Sequence, residues 1–241
     1  MEDLKKTISE KKLFSLEMVN VIKLIESHNI KLNSLNGIEI FGGTGTTDIL
    51  LGKKLKSFEI WEIDENCESK LKDMFPNSKI KICDSIKILK ENNNLSTYDL
   101  ILLDNPMSVF GSNNEPYKYC EHFDTLENIS KLIDKSAIVI FLVNKKPFYH
   151  KKLLRKNTLW KERRKSFYGN LNINNLSNNF LINFYIEFFK KYHLKTLFAN
   201  NIIRHNPHLD YYIFKLEKIN SSNKIKNIDW VSLSGLIKTN S

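Results

Sequence analysis

Three of the eight glycines in this 241-residue chain fall within four positions, in the segment Gly42-Gly43-Thr44-Gly45. The segment follows the apolar run GIEIF (37–41), which is typical of a buried strand, and precedes a helix-like stretch. A turn of this kind lets a ligand approach the backbone closely and directs the amides of a helix N-terminus at it. Because a glycine-rich turn is often only structural, the residues that follow it decide its meaning.

Carboxylates follow the next two strand-like runs. Glu62 and Asp64 come about 20 residues after the turn, where α/β nucleotide-binding folds place an acid on ribose hydroxyls. Asp84 follows the run KIKI and would lie at the same edge of the sheet, where it could accept from an adenine amine. An equally good interpretation of Asp84 is the N-cap of the next helix. The spacing fits a dinucleotide or another adenosyl ligand.

A further polar group follows the fourth run, YDLILL (98–103). An acid and an amide at the end of a central strand lie in the crevice where α/β proteins bind ligands. Asp104 or Asn105 could therefore orient a nucleophile of the substrate, while Pro106 withholds a donor and stiffens the loop.

A hydroxyl acceptor would also need a general base. His122, which lies after the fourth run, is the best candidate for that base. A loop histidine without a catalytic role is the alternative interpretation.

Seven strand-like runs alternate with helix-like stretches, which predicts a doubly wound α/β sheet. Several runs are continuously apolar, as expected for strands that are buried on both faces of a parallel sheet. The predicted strands are 37–41, 57–62, 79–82, 98–103, 136–143, 196–204 and 209–216, and the helices between the first five are 46–55, 65–75, 86–92 and 124–134.

The last two runs are joined only by residues 205–208, and so short a link predicts an antiparallel last strand. Residues 144–195 are too long for a simple crossover and predict a basic, partly helical insertion between strands five and six, with a helix at 180–192. We expect three parts: an N-terminal helical segment (1–36), the main domain (37–218) and a C-terminal tail (219–241).

The sequence IEIFGGTGTT resembles the first motif of class I methyltransferases that use S-adenosylmethionine. It is closest to the branch that methylates amines, whose pattern is acid-x-Phe-x-Gly-x-Gly, often followed by Thr-Thr. Glu39, Phe41, Gly43 and Gly45 occupy those places. The resemblance extends over roughly residues 36 to 145.

The later motifs carry the same resemblance. WEID is similar to the second motif of that branch, with Glu62 as the ribose acid, and Asp84 matches the acid that contacts adenine. Asp104-Asn105-Pro106-Met107 resembles a tetrad, usually Asp/Asn-Pro-Pro-aromatic, that binds the target amine while its aromatic residue stacks on the target base. Here Asn105 replaces a proline and Met107 replaces the aromatic residue.

The turn and the resemblance together predict S-adenosylmethionine as the cofactor and two sets of site residues. The predicted cofactor-binding residues are Glu39, Phe41, Gly42, Gly43, Thr44, Gly45, Glu62, Asp84 and Asp104. The predicted catalytic residues are Asp104, Asn105, Pro106 and His122.

Net charge points to an anionic partner. The chain carries +10 at neutral pH, and residues 145–165 alone hold ten Lys or Arg against one acid. Aromatic residues are interleaved with these cations, a mixture that suits a phosphate backbone of DNA or RNA, although an acidic membrane surface, an anionic small substrate or a solvated helix face would also explain it. The predicted substrate-binding residues are Met107, Lys151, Lys152, Arg155, Arg163 and Arg164.

Composition excludes several other classes. No apolar run approaches the ~20 residues that a membrane-spanning helix needs, and the charged N-terminus has no secretory core. The three cysteines form no close pair, so neither a zinc site nor a disulfide framework is indicated. We expect a cytoplasmic protein without a bound metal.

The sequence thus predicts a methyltransferase that acts on an amine of nucleic acid. A methyltransferase acting on a small molecule or a glycan is one alternative, and an inactive methyltransferase fold that binds nucleic acid as a subunit is another. A dehydrogenase is a weaker option, because Phe41 and Thr44 fit the dinucleotide glycine pattern poorly.

Overall fold

A seven-stranded sheet runs through the computed structural model of this chain, which describes residues 17–45, 49–104, 122–145, 158–169, 176–204 and 209–219. The strands are β1 (Asn36–Glu39), β2 (Ser57–Glu62), β3 (Lys79–Ile82), β4 (Leu100–Leu103), β5 (Ser136–Asn144), β6 (Leu194–Ile203) and β7 (Leu209–Lys218). All seven lie within about two residues of the strands expected from the apolar runs.

The strand order is β3-β2-β1-β4-β5-β7-β6. Strands β1 to β5 pair in parallel, whereas β7 pairs antiparallel with both β5 and β6. The doubly wound sheet and its antiparallel last strand are therefore confirmed. The hairpin does not extend the sheet in chain order, because β7 inserts between β5 and β6.

Helices flank the sheet on both faces. They are α1 (17–27 of the described residues), α2 (Ile49–Gly52), α3 (Glu68–Met74), α4 (Ser85–Glu91), α5 (Phe123–Leu126), α6 (Thr158–Tyr168) and α7 (Asn178–Lys191), with 3-10 turns at Leu32–Ser34, Glu65–Cys67 and Ile129–Leu132. Among the described segments, no helix combines the length and the apolar character needed to cross a membrane.

Three predicted helices are shorter than expected. The helix predicted over 46–55 ends at Gly52, and the one predicted over 65–75 begins as the 3-10 turn Glu65–Cys67 before α3. The third is interrupted. Instead of a single helix over 124–134, α5 ends at Leu126 and a separate 3-10 turn follows. The side chain of Asn128 donates to the carbonyl of Asp124 at 3.3 Å. An asparagine amide that bonds to that carbonyl competes with the backbone N–H for it, which favours the end of a helix.

Strand β5 is the centre of two hydrophobic clusters. Val139, Phe141 and Val143 face an aromatic cluster with α7, while Ile138, Ile140 and Leu142 face an aliphatic cluster with α1. A strand that is buried on both faces has apolar side chains on each face, so its sequence is a continuous apolar run. Helices α6 and α7, which belong to the predicted insertion, contribute Tyr168, Tyr185 and Phe189 to the aromatic cluster.

Candidate active site

The glycine turn follows β1 at the carboxyl edge of the sheet. Gly43 and Gly45 both have positive φ angles, +50° and +68°, which L-residues with a side chain rarely adopt. A Cβ atom on Gly45 would lie 2.7 Å from Phe75 and 2.9 Å from Leu71, whereas a Cβ atom on Gly43 would meet no described residue within 4 Å other than its chain neighbours. Gly45 is therefore required for packing, and Gly43 faces open space that a ligand can enter.

Glu62, at the end of β2, holds the turn from the neighbouring strand. Its carboxylate accepts from the backbone N–H of Gly43 at 2.5 Å, and from those of Ile63 at 2.9 Å and Asp64 at 2.8 Å. The residue is buried. The spacing in the sequence predicted that Glu62 would lie near the turn, but it did not predict the direct bond to Gly43.

Glu39, the last residue of β1, connects the turn with the end of β4. One carboxylate oxygen accepts from the N–H of Phe41 at 3.2 Å and from that of Asp104 at 3.3 Å. The side chain is almost completely buried. The structure therefore gives Glu39 a bridging position between the predicted donor-binding turn and the predicted acceptor-binding acid. Phe41 packs on the aromatic cluster, and Thr44 is exposed.

Asp84 caps α4, because its side chain accepts from the N–H of Lys87 at 3.0 Å. The N-cap interpretation of this residue is confirmed. Asp84 is only partly buried and follows β3 at the same edge as Glu62, so an adenine contact stays a prediction beside the cap.

Asp104 follows β4 and is partly buried. Tyr211 on β7 donates its hydroxyl to the carboxylate of Asp104 at 3.3 Å, and the guanidinium of Arg204 lies over the Tyr211 ring at 4.8 Å. Sequence reasoning missed these two residues. The sequence held one indication of Arg204: only four of its 37 cations are arginines, so each arginine stands out among the lysines. The other three tetrad residues, Asn105, Pro106 and Met107, lie outside the described residues.

His122 occupies a different environment from the one expected of a base. It is fully buried in the aromatic cluster, and its Nε2 lies 2.7 Å from the hydroxyl of Tyr185, which lies 2.7 Å from that of Tyr168. Burial, with the nearby charge of Arg164, lowers the pKa of His122 to about 3. An imidazole enclosed in the core cannot reach a substrate proton, so the prediction of His122 as a catalytic base is corrected.

This burial predicts a pH-dependent stability. In the unfolded chain His122 takes up a proton below its ordinary pKa of 6.5, whereas in the folded chain it does so only near 3. The stability that the neutral, buried His122 contributes is therefore fully present above pH 6.5 and is lost as the pH falls from there towards 3. Between pH 7 and pH 5, preferential protonation of the unfolded chain at His122 should lower the free energy of unfolding by about 2 kcal/mol.

Urea unfolding of the wild type and of His122→Gln at both pH values isolates this contribution, because the other titrating groups are common to both proteins. Glutamine can still bond to Tyr185. We expect the wild type to lose more stability than the variant on acidification, and equal losses would contradict the assignment.

Some cations of the basic segment 145–165 bind partners within the protein. Arg164 is fully buried and donates to the carbonyl of Asn144 at 2.9 Å, which contradicts its prediction as a phosphate contact. Arg163 forms an ion pair with Asp124, and the predicted substrate role of Arg163 is weakened accordingly. Lys145 pairs with the buried Asp210 at 2.7 Å. Lys151, Lys152 and Arg155 lie outside the described residues.

A cavity lies apart from this edge. A cavity of about 570 Å³ lies between α5, α6 and α7 and is lined largely by aromatic side chains such as Phe123, Phe167 and Phe184. It includes neither the glycine turn nor Asp104, so it is not part of the candidate active site. Within the described residues, no group of three His, Cys, Asp or Glu side chains could hold a metal ion.

The class of fold follows from these observations. A sheet of order 3-2-1-4-5-7-6, in which β7 alone runs antiparallel to the other strands, is the Rossmann-like fold of class I methyltransferases. The glycine turn after β1 and the acids after β2, β3 and β4 share its carboxyl edge, where open α/β sheets bind ligands.

Comparisons with known proteins found similarities only among solved structures. No protein-family model and no curated protein matches the sequence. Similar solved structures, each with a TM-score of 0.48, include M. jannaschii TYW2 in complex with AdoMet (12% identity, covering 88% of this chain and 76% of that one), Trm5b from Pyrococcus abyssi (12%, covering 83% and 48%) and the N-methyltransferase NodS from Bradyrhizobium japonicum WM9 (10%, covering 90% and 96%). This chain thus spans about half the length of Trm5b.

Proposed function

We propose that this chain is an S-adenosylmethionine-dependent methyltransferase. The observation that carries the proposal is the open space at Gly43, whose amide is bonded to a carboxylate at the end of the next strand. A carboxylate can accept about four hydrogen bonds, and Glu62 uses three of them for backbone amides. It can therefore still accept from a ribose hydroxyl. The residues proposed to hold the donor are Glu39, Phe41, Gly42, Gly43, Thr44, Gly45, Glu62, Asp84 and Asp104.

The donor supplies a methyl group that is already activated by a positively charged sulfur. The protein is left to bind and orient the two reactants and to exclude water, which can account for a large part of such a rate enhancement. In our proposal Asp104 accepts an N–H of the acceptor amine and so directs the nitrogen lone pair. The bond between Glu39 and the Asp104 N–H supports this role, because it links the acid to the turn.

An amine acceptor is favoured over a hydroxyl. A hydroxyl must lose its proton as it reacts and needs a base of suitable pKa. His122 was the candidate for that base, but it is fully buried and so cannot contact a substrate. Asp104 as a hydrogen-bond acceptor is sufficient for an amine, whose proton can leave to water after transfer.

A nucleic acid is the acceptor class that we propose. Even without Lys145, Arg163 and Arg164, the segment 146–165 keeps seven cations interleaved with aromatic residues. Cations that follow a backbone, with aromatic side chains on which bases stack, are typical of single-strand binding. Lys151, Lys152 and Arg155 are central to this proposed surface, and Met107 would lie beside the target base.

The test is direct. Calorimetry should show S-adenosylmethionine binding with a Kd well below about 1 mM. Radiolabelled donor should then transfer its methyl group to total RNA or total DNA, and nuclease digestion identifies which. Absence of donor binding would overturn the methyltransferase proposal and leave only a nucleic-acid-binding subunit with this fold.

A small molecule or glycan is the second candidate, favoured by the internal use of Arg163 and Arg164. It predicts methyl transfer to a nuclease-treated small-molecule extract. It also predicts nucleic-acid binding too weak to show the slope of about −0.9 per phosphate that counterion release gives in log K against log salt concentration.

A further inference from the structure

A buried polar network leads to Asp104 from β7, the end of β6 and α1. Tyr211 on β7 donates to the Asp104 carboxylate at 3.3 Å. Arg204, at the end of β6, covers the Tyr211 ring at 4.8 Å and donates its Nε–H to Glu17 of α1 at 2.5 Å. Residues of α1 and of the β6–β7 hairpin, all far from Asp104 in the sequence, therefore form one series of contacts that ends at Asp104.

The network is buried to an unusual degree for its charge. Tyr211 is fully buried, and Glu17 and Arg204 are 4% and 6% exposed. Removing such charges from water is costly, and a hydrophobic replacement of similar volume is often at least as stable. Stability alone therefore does not explain a buried charged pair at this place, and an effect on Asp104, where the network ends, is the better explanation.

We propose that Tyr211 is a positioning residue for Asp104 in methyl transfer, an inference that rests on the proposed function. Asp104 is bound at both ends, because Glu39 accepts from its N–H at 3.3 Å while Tyr211 donates to its Oδ2. With Oδ2 bonded to the phenol, the carboxylate has a defined rotamer and its other oxygen is directed by the protein. A fixed acceptor oxygen lowers the cost of orienting the amine.

The charges around Asp104 support a polarised phenol. Burial on its own lowers the pKa of Arg204, but Tyr211, Asp104 and Glu17 more than offset it, so that the pKa is raised and the guanidinium stays charged. A cation above the ring makes the phenol a stronger donor, and a stronger donor favours the ionised carboxylate.

Within the part of the chain that the structure describes, Glu39, Asp210 and Lys145 are further charged groups at this end of the sheet. Glu39 faces the backbone of Asp104. Asp210 and Lys145 neutralise each other at 2.7 Å. Loss of the phenol should therefore raise the pKa of the Asp104 carboxyl without a compensating change from its neighbours.

The chain offers a matched pair of variants. Tyr211→Phe removes only the hydroxyl that meets Asp104. Tyr212→Phe removes the next hydroxyl along β7, which donates to Asn178 at 2.9 Å on the opposite face of the sheet. Both tyrosines are fully buried, so the two variants lose the same chemical group from the same strand.

Two measurements decide the proposal. NMR titration of the ¹³C-labelled aspartate carboxyls should show the pKa of Asp104 rising by about 0.5 to 1 unit in Tyr211→Phe and remaining unchanged in Tyr212→Phe. In methyl transfer to total nucleic acid, Tyr211→Phe should lower kcat roughly fivefold to tenfold and move the acid limb of the pH profile to higher pH. The Kd for S-adenosylmethionine should not change.

The outcomes separate this inference from the function on which it rests. Donor binding and transfer in the wild type, with a Tyr211→Phe profile equal to that of Tyr212→Phe, would overturn the positioning role alone. A wild-type protein that binds no donor would overturn the proposed function and this role with it. A raised Asp104 pKa together with the displaced acid limb would establish the role.

Discussion

Replacing Gly43 by valine is expected to weaken S-adenosylmethionine binding by roughly 100-fold or more, about 2.7 kcal/mol. The physical reason is steric. Gly43 has a φ of +50°, and apart from its chain neighbours no described residue lies within 4 Å of the place where a Cβ would be, so the side chain would occupy the space that we assign to the ligand. Titration calorimetry with S-adenosylmethionine measures the loss.

Backbone strain is the alternative cause and has its own control. Gly169, after α6, also has a positive φ, +82°, with nothing within 4 Å of a Cβ position, but it is exposed and lies outside the candidate site. Gly169→Val should therefore carry a comparable strain and leave donor binding unchanged. Equal affinities of the Gly43→Val and wild-type proteins would show that the donor does not approach this turn.

Replacing Asp104 by alanine is expected to reduce methyl transfer by roughly 100-fold to 1,000-fold, because a misplaced acceptor loses this much rate. The Asp104 N–H bond to Glu39 is retained, since it uses the backbone. Donor affinity should accordingly change far less than turnover. Rates with saturating radiolabelled donor and total nucleic acid, compared with calorimetric donor affinity, separate the two effects.

Two further variants define what Asp104 does. Asp104→Asn keeps an acceptor oxygen but loses the negative charge, so it should retain more of the rate than Asp104→Ala and less than the wild type. Asp99→Ala removes an aspartate just before the other end of β4, where its carboxylate accepts from the N–H of Asn36 at 2.9 Å. It should lose about 1 kcal/mol of stability and keep its turnover. If Asp99→Ala and Asp104→Ala lost the same rate, the effect would be structural.

The arrangement of the donor side could be predicted because its signals are local. The apolar run of β5 shows that both faces of the strand are covered, and the structure places Phe141 on one face and Ile140 on the other. Gly43 and Glu62 lie 19 positions apart, the length of one helix and the strand that follows it. Parallel strands then bring the two to the same edge.

The acceptor side could not be predicted in this way. Tyr211 and Asp104 are 107 positions apart, and Arg204 and Glu17 are 187 apart. They meet only because β7 inserts between β5 and β6 and because α1 packs on that face. A hairpin prediction leaves both positions of β7 open, and no periodicity in the sequence selects between them.

The same distinction explains the two corrections. In the sequence, Arg164 is one cation among ten, and His122 is one polar residue in a loop. Tertiary packing buries both side chains completely, Arg164 against the carbonyl of Asn144 and His122 against Tyr185. The sequence by itself determined the sheet, the glycine turn and the acids at its edge, since these depend on residues close along the chain. Only the tertiary structure decided which polar groups face a substrate and which face the core, because that depends on contacts between elements far apart in the chain.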